Sequence, residues 1–194
     1  MSHIKARFVG NHAVRSFLAE IGALYCGYIY NHRAGKGAVA WAASLKYFDD
    51  SCAYCGTRRE NLPRNTTLTI EHLIENNQFE VGLHHPGNTV PACAACNHSR
   101  VARRTGEGVP WQVHLVNRCT LIGHKTSVQK KRLAKIESYM KSGPCPYPVL
   151  SAEEVAFLKK SAAELYQEAI LLTVPRVQAF WKIAKMGASS GKKK

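Results

Sequence analysis

The chain has 194 residues, of which 45% are hydrophobic, a composition that allows a folded core. Lys and Arg number 27 against 13 Asp and Glu, so the net charge is +14 and polyanions are the expected partners. No run reaches the roughly 20 apolar residues that span a bilayer, so no membrane-spanning helix is expected. The start lacks the apolar stretch of a secretory signal, and the cytoplasm is therefore the expected compartment.

Residues 1–51 are predicted to form a helical extension. Apolar residues recur at near-helical spacing over 13–30, which indicates a helix, and a loop follows at 31–37. Residues 38–48 predict a second, shorter helix.

The next segment, 52–104, contains four of the seven cysteines. They form two Cys-x-x-Cys pairs, Cys52 with Cys55 and Cys93 with Cys96. A Cys-x-x-Cys turn directs both sulfurs at one ion, and two such turns supply the four thiolates that structural zinc prefers. The pattern therefore predicts a zinc site that closes the long loop between the pairs and replaces part of a core that this segment is too small to build.

Other interpretations of the paired cysteines remain open. Redox pairs, an iron site with the same ligands, and disulfides in an oxidising compartment would each use such residues. We favour zinc because two matched pairs enclose one loop. The remaining cysteines, Cys26, Cys119 and Cys145, are interpreted as small packed residues rather than ligands.

Between the cysteine pairs lies a run of polar residues in a distinctive order. Alternation and β-branched residues over 67–72 predict a strand that ends on Glu71 and His72. Asn88 follows a glycine, and Asn97 directly follows the last paired cysteine. The order Cys-x-x-Cys, acidic-His, Gly-Asn, Cys-x-x-Cys-Asn resembles the zinc-stapled branch of the HNH (ββα-metal) endonucleases.

The resemblance covers residues 52–104 and implies two strands and a helix around one catalytic ion. It implies that His72 is the first motif residue and the general base, that Asn88 is the second motif residue and that Asn97 is the third. The chain would therefore be an H-N-N variant of the motif. Glu71 stands where the family usually has an Asp or His that binds the ion. His98 is a weaker candidate for the third position, because the family residue directly follows the last cysteine.

The residue types suit phosphodiester hydrolysis. An imidazole can deprotonate water near neutral pH, and a cation can neutralise charge on the phosphate. The oxygen ligands of Glu71 and Asn97 suit Mg²⁺ or Mn²⁺ better than zinc. Asn88 is expected to hold the loop after His72 by hydrogen bonds.

Each of these residues also has an ordinary structural interpretation. His72 could be a packed strand residue, Glu71 a surface charge, Asn88 a turn residue and Asn97 a helix cap. Their joint occurrence between the two cysteine pairs favours function. His84 and His85, in the same loop, are interpreted either as substrate contacts or as solvated loop residues.

Basic residues dominate the chain that follows. Arg100, Arg103 and Arg104 would share one helix face and could clamp a phosphate backbone. A second basic cluster is predicted to track DNA and consists of Lys130, Lys131, Arg132 and Lys135. A solvated basic face and a membrane surface are the alternatives to nucleic acid.

The C-terminal region, 105–186, is predicted to be helical. A helix is expected over 126–141, then a proline-rich linker at 143–148. Ser151 and Glu154 fit a capping box that opens a helix to about Leu172. Pro175 is expected to interrupt or open a last helix to about Met186, and 187–194 is predicted to be a disordered tail.

These features together predict an α+β protein with a ββα-metal zinc module and helical extensions on both sides. The expected function is metal-dependent DNA cleavage, with structural Zn²⁺ and catalytic Mg²⁺ or Mn²⁺. A site-specific restriction-type enzyme is one form that this function could take. Symmetric cutting of both strands would require a homodimer. The rival interpretations are a zinc protein that binds nucleic acid without cleaving it, and an RNA-processing enzyme.

Overall fold

A computed structural model of the chain describes residues 6–97 and 109–190, with side chains to Trp181. The described residues combine helices with one small sheet, which confirms the expected α+β class. The helices are α1 (Ala6–Cys26), α2 (Gly35–Tyr47), α3 (Ala94–Asn97), α4 (Trp111–Leu121), α5 (Thr126–Ser142) and α6 (Ala152–Ser190), and the strands are β1 (Thr69–His72) and β2 (Thr89–Ala92).

The two strands pair antiparallel, with Thr69 opposite Ala92 and His72 opposite Thr89. All four residues of β2 are buried, whereas β1 is covered only in part. The chain passes from β2 through Cys93 directly into α3, which packs against β1. The end of β1 is therefore left accessible beside α3.

One hydrophobic core surrounds the cysteines and the sheet. Phe48 at the end of α2, Trp111 and Leu115 of α4, and Ile136 and Tyr139 of α5 all pack into it. The core thus joins the cysteine-rich segment to helices on both sides of it in sequence.

A second core lies between α1 and α6. Val14 and Leu18 of α1 pack with Leu158 and Ala162 of α6, and Leu83 of the loop between β1 and β2 belongs to the same core. This core fixes the β1–β2 loop against the N-terminal helix, and so positions α1 near the end of β1.

Several predicted elements are confirmed with shifted ends. Helix α5 has nearly the predicted range, and Ser151 and Glu154 form the capping box, since each backbone N–H donates to the other's side chain at 2.6 and 3.1 Å. Helix α1 begins earlier than expected and ends at Cys26, where Gly27 takes a left-handed φ of 77°.

The interruption predicted at Pro175 is wrong, because α6 runs through it as one helix to Ser190. Pro175 is exposed, and the guanidinium of Arg176 donates to the carbonyl of Leu172 in the preceding turn. The carbonyl that Pro175 leaves without a backbone donor is that of Leu171, an exposed residue, so solvent can satisfy it.

Among residues 6–97 and 109–190, no helix is both long and apolar enough to cross a membrane.

Candidate metal centre and adjoining cavity

The four paired cysteines converge on one point. Their Sγ atoms all lie within 4.8 Å of one another, and all four residues are buried. Cys55 Sγ and Cys93 Sγ are 3.7 Å apart. Tetrahedral zinc with Zn–S bonds of about 2.3 Å would hold its sulfurs about 3.8 Å apart, so the arrangement fits a structural zinc ion.

The local backbone explains why the sulfurs converge. Cys52 and Gly56 close a turn through a 2.8 Å hydrogen bond, and Ala53 N–H donates to the carbonyl of Pro91 in β2. On the second pair, the N–H groups of Cys96 and Asn97 both donate to the carbonyl of Cys93. The two turns are thus anchored to the same strand.

Positive charge lies against this cluster. Gly56 has a φ of 75°, and the guanidinium of Arg132 from α5 occupies the space that a Cβ atom there would need. Hydrogen bonding from Cys52 lowers the pKa of the Cys93 thiol. A four-thiolate zinc centre carries a net charge of −2, which the neighbouring guanidinium would partly offset.

A cavity of about 390 Å³ opens beside β1. The residues that line it come from β1, α3, the β1–β2 loop and α1, and they are Arg15, Ile70, Glu71, His72, Glu75, Asn76, Asn77, His84 and Asn97. The fold therefore brings three of the four predicted site residues, Glu71, His72 and Asn97, to one cavity. The fourth, Asn88, lies behind it.

Asn88 is fully buried and ties the loop to the strand. Its Oδ1 accepts from Ile74 N–H at 2.8 Å, and its Nδ2 donates to the carbonyls of Ile74 and Leu83 at 2.8 and 2.9 Å. Its own carbonyl accepts from Leu73 N–H at 2.8 Å. Asn88 therefore holds the loop that follows His72 without lining the cavity.

Asn97 is oriented by β1. Its Nδ2 donates to Thr69 Oγ1 and to the carbonyl of Ile70, both at 2.9 Å. Because both amide hydrogens have acceptors on the strand, Oδ1 is the atom suited to bind a cation. Glu71, only 8% exposed, adds a carboxylate to the same cavity.

His72 contacts a residue from the β1–β2 loop. Its Nε2 lies 2.8 Å from Nδ1 of His84, and the two ring centroids are 5.1 Å apart. Burial lowers the pKa of His84, which favours its neutral form. The expectation of solvated loop histidines is wrong, because His84 is half-buried in this contact and His85 is 2% exposed, both being covered by the packing of the loop.

Arg15 is a lining residue that the sequence did not single out. It projects from α1, which the sequence placed in a separate extension, and its side chain is exposed at the cavity. A guanidinium beside a carboxylate, an imidazole and an amide gives the cavity groups that could bind a phosphate oxygen as well as a cation.

The second basic cluster divides into two pairs. Lys130 and Lys131 are exposed on α5. Lys135 forms an ion pair with Asp49 at 2.6 Å, and Arg132 packs on the cysteine turn. Lys130 and Lys131 are therefore the more exposed pair of the cluster. Arg100, Arg103 and Arg104 of the predicted clamp, and His98, lie outside the described residues.

Comparisons with family models, curated proteins and solved structures give no significant match to this chain.

Proposed function

We propose that the chain is a metal-dependent nuclease of the HNH type, with a structural zinc at the four cysteines and its reaction centre in the adjoining cavity. The observation that carries the proposal is the convergence of Glu71, His72 and Asn97 on one cavity at the end of β1. The arrangement of β1, β2 and α3 supports it, because strand, strand and helix follow the order that the family resemblance implies.

In this proposal each residue has a distinct task. His72 accepts a proton from the attacking water, whose oxygen bonds to phosphorus as the bond from phosphorus to the 3′ oxygen breaks. The 3′ oxygen leaves with the bonding electron pair and takes a proton from solvent. Glu71 and Asn97 would hold Mg²⁺ or Mn²⁺ through their oxygens, and such an ion supplies charge neutralisation at the phosphate. Asn88 keeps the loop after His72 in place through its hydrogen bonds to Leu73, Ile74 and Leu83.

The substrate is proposed to be DNA. The net charge of +14 and the exposed Lys130 and Lys131 favour a polyanion. Cleavage would leave 5′-phosphate and 3′-hydroxyl ends, as the resemblance implies. A site-specific restriction-type role would fit a free-standing nuclease, and cutting both strands symmetrically would require two copies of the chain.

A plasmid assay tests this function. Pure protein is incubated with supercoiled DNA and either Mg²⁺ or Mn²⁺, with EDTA as the control, and a structured RNA is tested in parallel. We expect nicked or linear DNA only with the divalent ion. Cleavage of RNA alone would favour the RNA-processing rival, and binding without cleavage of either substrate would favour the non-catalytic zinc protein.

The ion-binding roles can be separated from the role of the base. Glu71→Gln and Asn97→Ala should raise the Mg²⁺ concentration needed for half-maximal cleavage, because each removes or weakens an oxygen ligand. Asn97→Asp should retain cleavage, since a carboxylate is also an oxygen ligand. An unchanged Mg²⁺ requirement in both Glu71→Gln and Asn97→Ala would place the ion elsewhere.

A further inference from the structure

We propose that His84 is a positioning residue that fixes the tautomer of His72 and so makes Nδ1 of His72 the proton-accepting atom. The inference rests on the proposed function, in which His72 is the base. It adds a role for a residue that the family resemblance leaves without one.

The contact itself limits the arrangement of protons. His72 Nε2 and His84 Nδ1 are 2.8 Å apart, a hydrogen-bond distance that requires a proton on one nitrogen and a lone pair on the other. Two nitrogens bound to one tetrahedral zinc at about 2.0–2.1 Å would lie roughly 3.3 Å apart. The separation therefore favours a direct hydrogen bond over shared binding of such an ion.

The proposed role of His72 as the base sets which nitrogen must carry the proton. Nε2 of His72 faces Nδ1 of His84, so Nδ1 is the nitrogen of His72 left for the attacking water. A neutral imidazole has only one N–H, so a lone pair on Nδ1 of His72 requires the proton on Nε2, which then donates to Nδ1 of His84. The ring of Tyr30 packs on His84, with the two ring centroids 5.0 Å apart.

The position of His84 is fixed from a distant part of the chain. Its backbone N–H donates to the carbonyl of Leu18 at 3.3 Å, and its carbonyl lies against Gly22. Helix α1 therefore holds His84, and His84 in turn holds His72. A proton on Nε2 of His72 leaves its lone pair on Nδ1, the state that a general base needs.

Two readouts test the proposal. Nitrogen-15 NMR of histidine-labelled protein, at a pH where His72 is neutral, should show the Nε2–H tautomer of His72 in the parent and a mixture of tautomers in His84→Ala. Cleavage by His84→Ala should fall about tenfold to a hundredfold. His84→Asn should restore much of the rate and the Nε2–H signal, because its side-chain oxygen can accept from His72. His12→Ala, at an exposed site on α1, is the control.

The outcomes are distinct. A tautomer and a rate unchanged in His84→Ala would overturn the proposal. The proposal would also be overturned if His84→Asn folds but behaves like His84→Ala. Mg²⁺-induced shifts showing that the rings of His72 and His84 both bind the ion would overturn it as well. If the parent cuts no nucleic acid, a tautomer change on His84→Ala still supports the pairing, and only the nuclease proposal fails.

Discussion

Gly22 of α1 lies so close to the backbone of His84 that a Cβ atom on it would stand 2.6 Å from the His84 carbonyl oxygen. A glycine in the middle of a helix ordinarily costs about 0.5–1 kcal/mol relative to alanine. At this position the close approach of the β1–β2 loop requires it.

Helix propensity alone would predict that Gly22→Ala stabilises the protein, but we expect the substitution to destabilise it. The added methyl group should push the loop away and destabilise the fold by about 1–3 kcal/mol, with loss of the His72–His84 contact. Urea unfolding measures the change in free energy, and Ser16→Ala, exposed on the same helix, is the control. A more stable Gly22→Ala protein would contradict the packing of α1 on the loop.

The cysteine cluster should hold one zinc ion per chain. Cys93→Ser should abolish stoichiometric zinc and leave little cooperatively folded protein, because the ion replaces part of the core. Elemental analysis and thermal unfolding measure both effects. Cys26→Ser, outside the cluster, should keep the ion. Iron in place of zinc, or a folded Cys93→Ser protein, would contradict this account.

Arg15 is expected to contact a substrate phosphate. Arg15→Ala should weaken DNA binding at low salt and reduce the slope of log affinity against log salt by about 1, as expected for one phosphate contact. Arg7→Ala is the control, because Arg7 lies on the same helix but does not line the cavity. Equal effects of the two substitutions on DNA binding would show that Arg15 contributes only to the overall positive charge of the protein.

His85 should make the fold sensitive to acid. Burial, reinforced by the charge of His84, lowers its pKa from 6.5 to about 4. Below pH 6.5 the unfolded chain binds a proton that the folded chain excludes, so stability falls between about pH 6.5 and pH 4, by about 3 kcal/mol in all.

Gly87 N–H donates to Nδ1 of His85 at 3.1 Å. His85→Asn removes the titrating imidazole but keeps an acceptor for this N–H. Its unfolding free energy should therefore depend less on pH over this interval than that of the parent. His12→Gln, at an exposed histidine, serves as the control. A parent and a His85→Asn variant with parallel pH profiles would show that His85 titrates normally in the folded protein.

The sequence predicted those features that depend on neighbouring residues. The cysteine cluster follows from two short motifs, and the capping box from Ser151 and Glu154, because the partners in each motif are close along the chain. The sequence also pointed to Glu71, His72 and Asn97, which the structure brings to one cavity.

What the sequence missed depends on long-range packing. His84 lies beside His72, and Arg15 lines the same cavity, because α1 and the β1–β2 loop pack into one core with α6. No spacing of residues in the sequence indicates either of these positions. Helix α4 lies in the region predicted to be helical, but its bounds were not predicted, although Trp111, Leu115 and Cys119 recur every fourth residue and are buried on one face.

The loop at the cavity contains a conformation that sequence rules disfavour. Val81 has a φ of 49°, which is unfavourable for a β-branched residue, yet it is buried in the core between α1 and α6. Packing of its side chain offsets the backbone strain, so local propensity could not have predicted this turn.

The most direct test of the central claim compares the parent with His72→Ala on supercoiled plasmid in Mg²⁺ or Mn²⁺. Removing a general base should slow cleavage about a hundredfold to ten-thousandfold, while zinc content, fold and DNA binding stay unchanged. If His72→Ala cuts as fast as the parent, the reaction centre lies elsewhere and the nuclease assignment of this cavity is wrong.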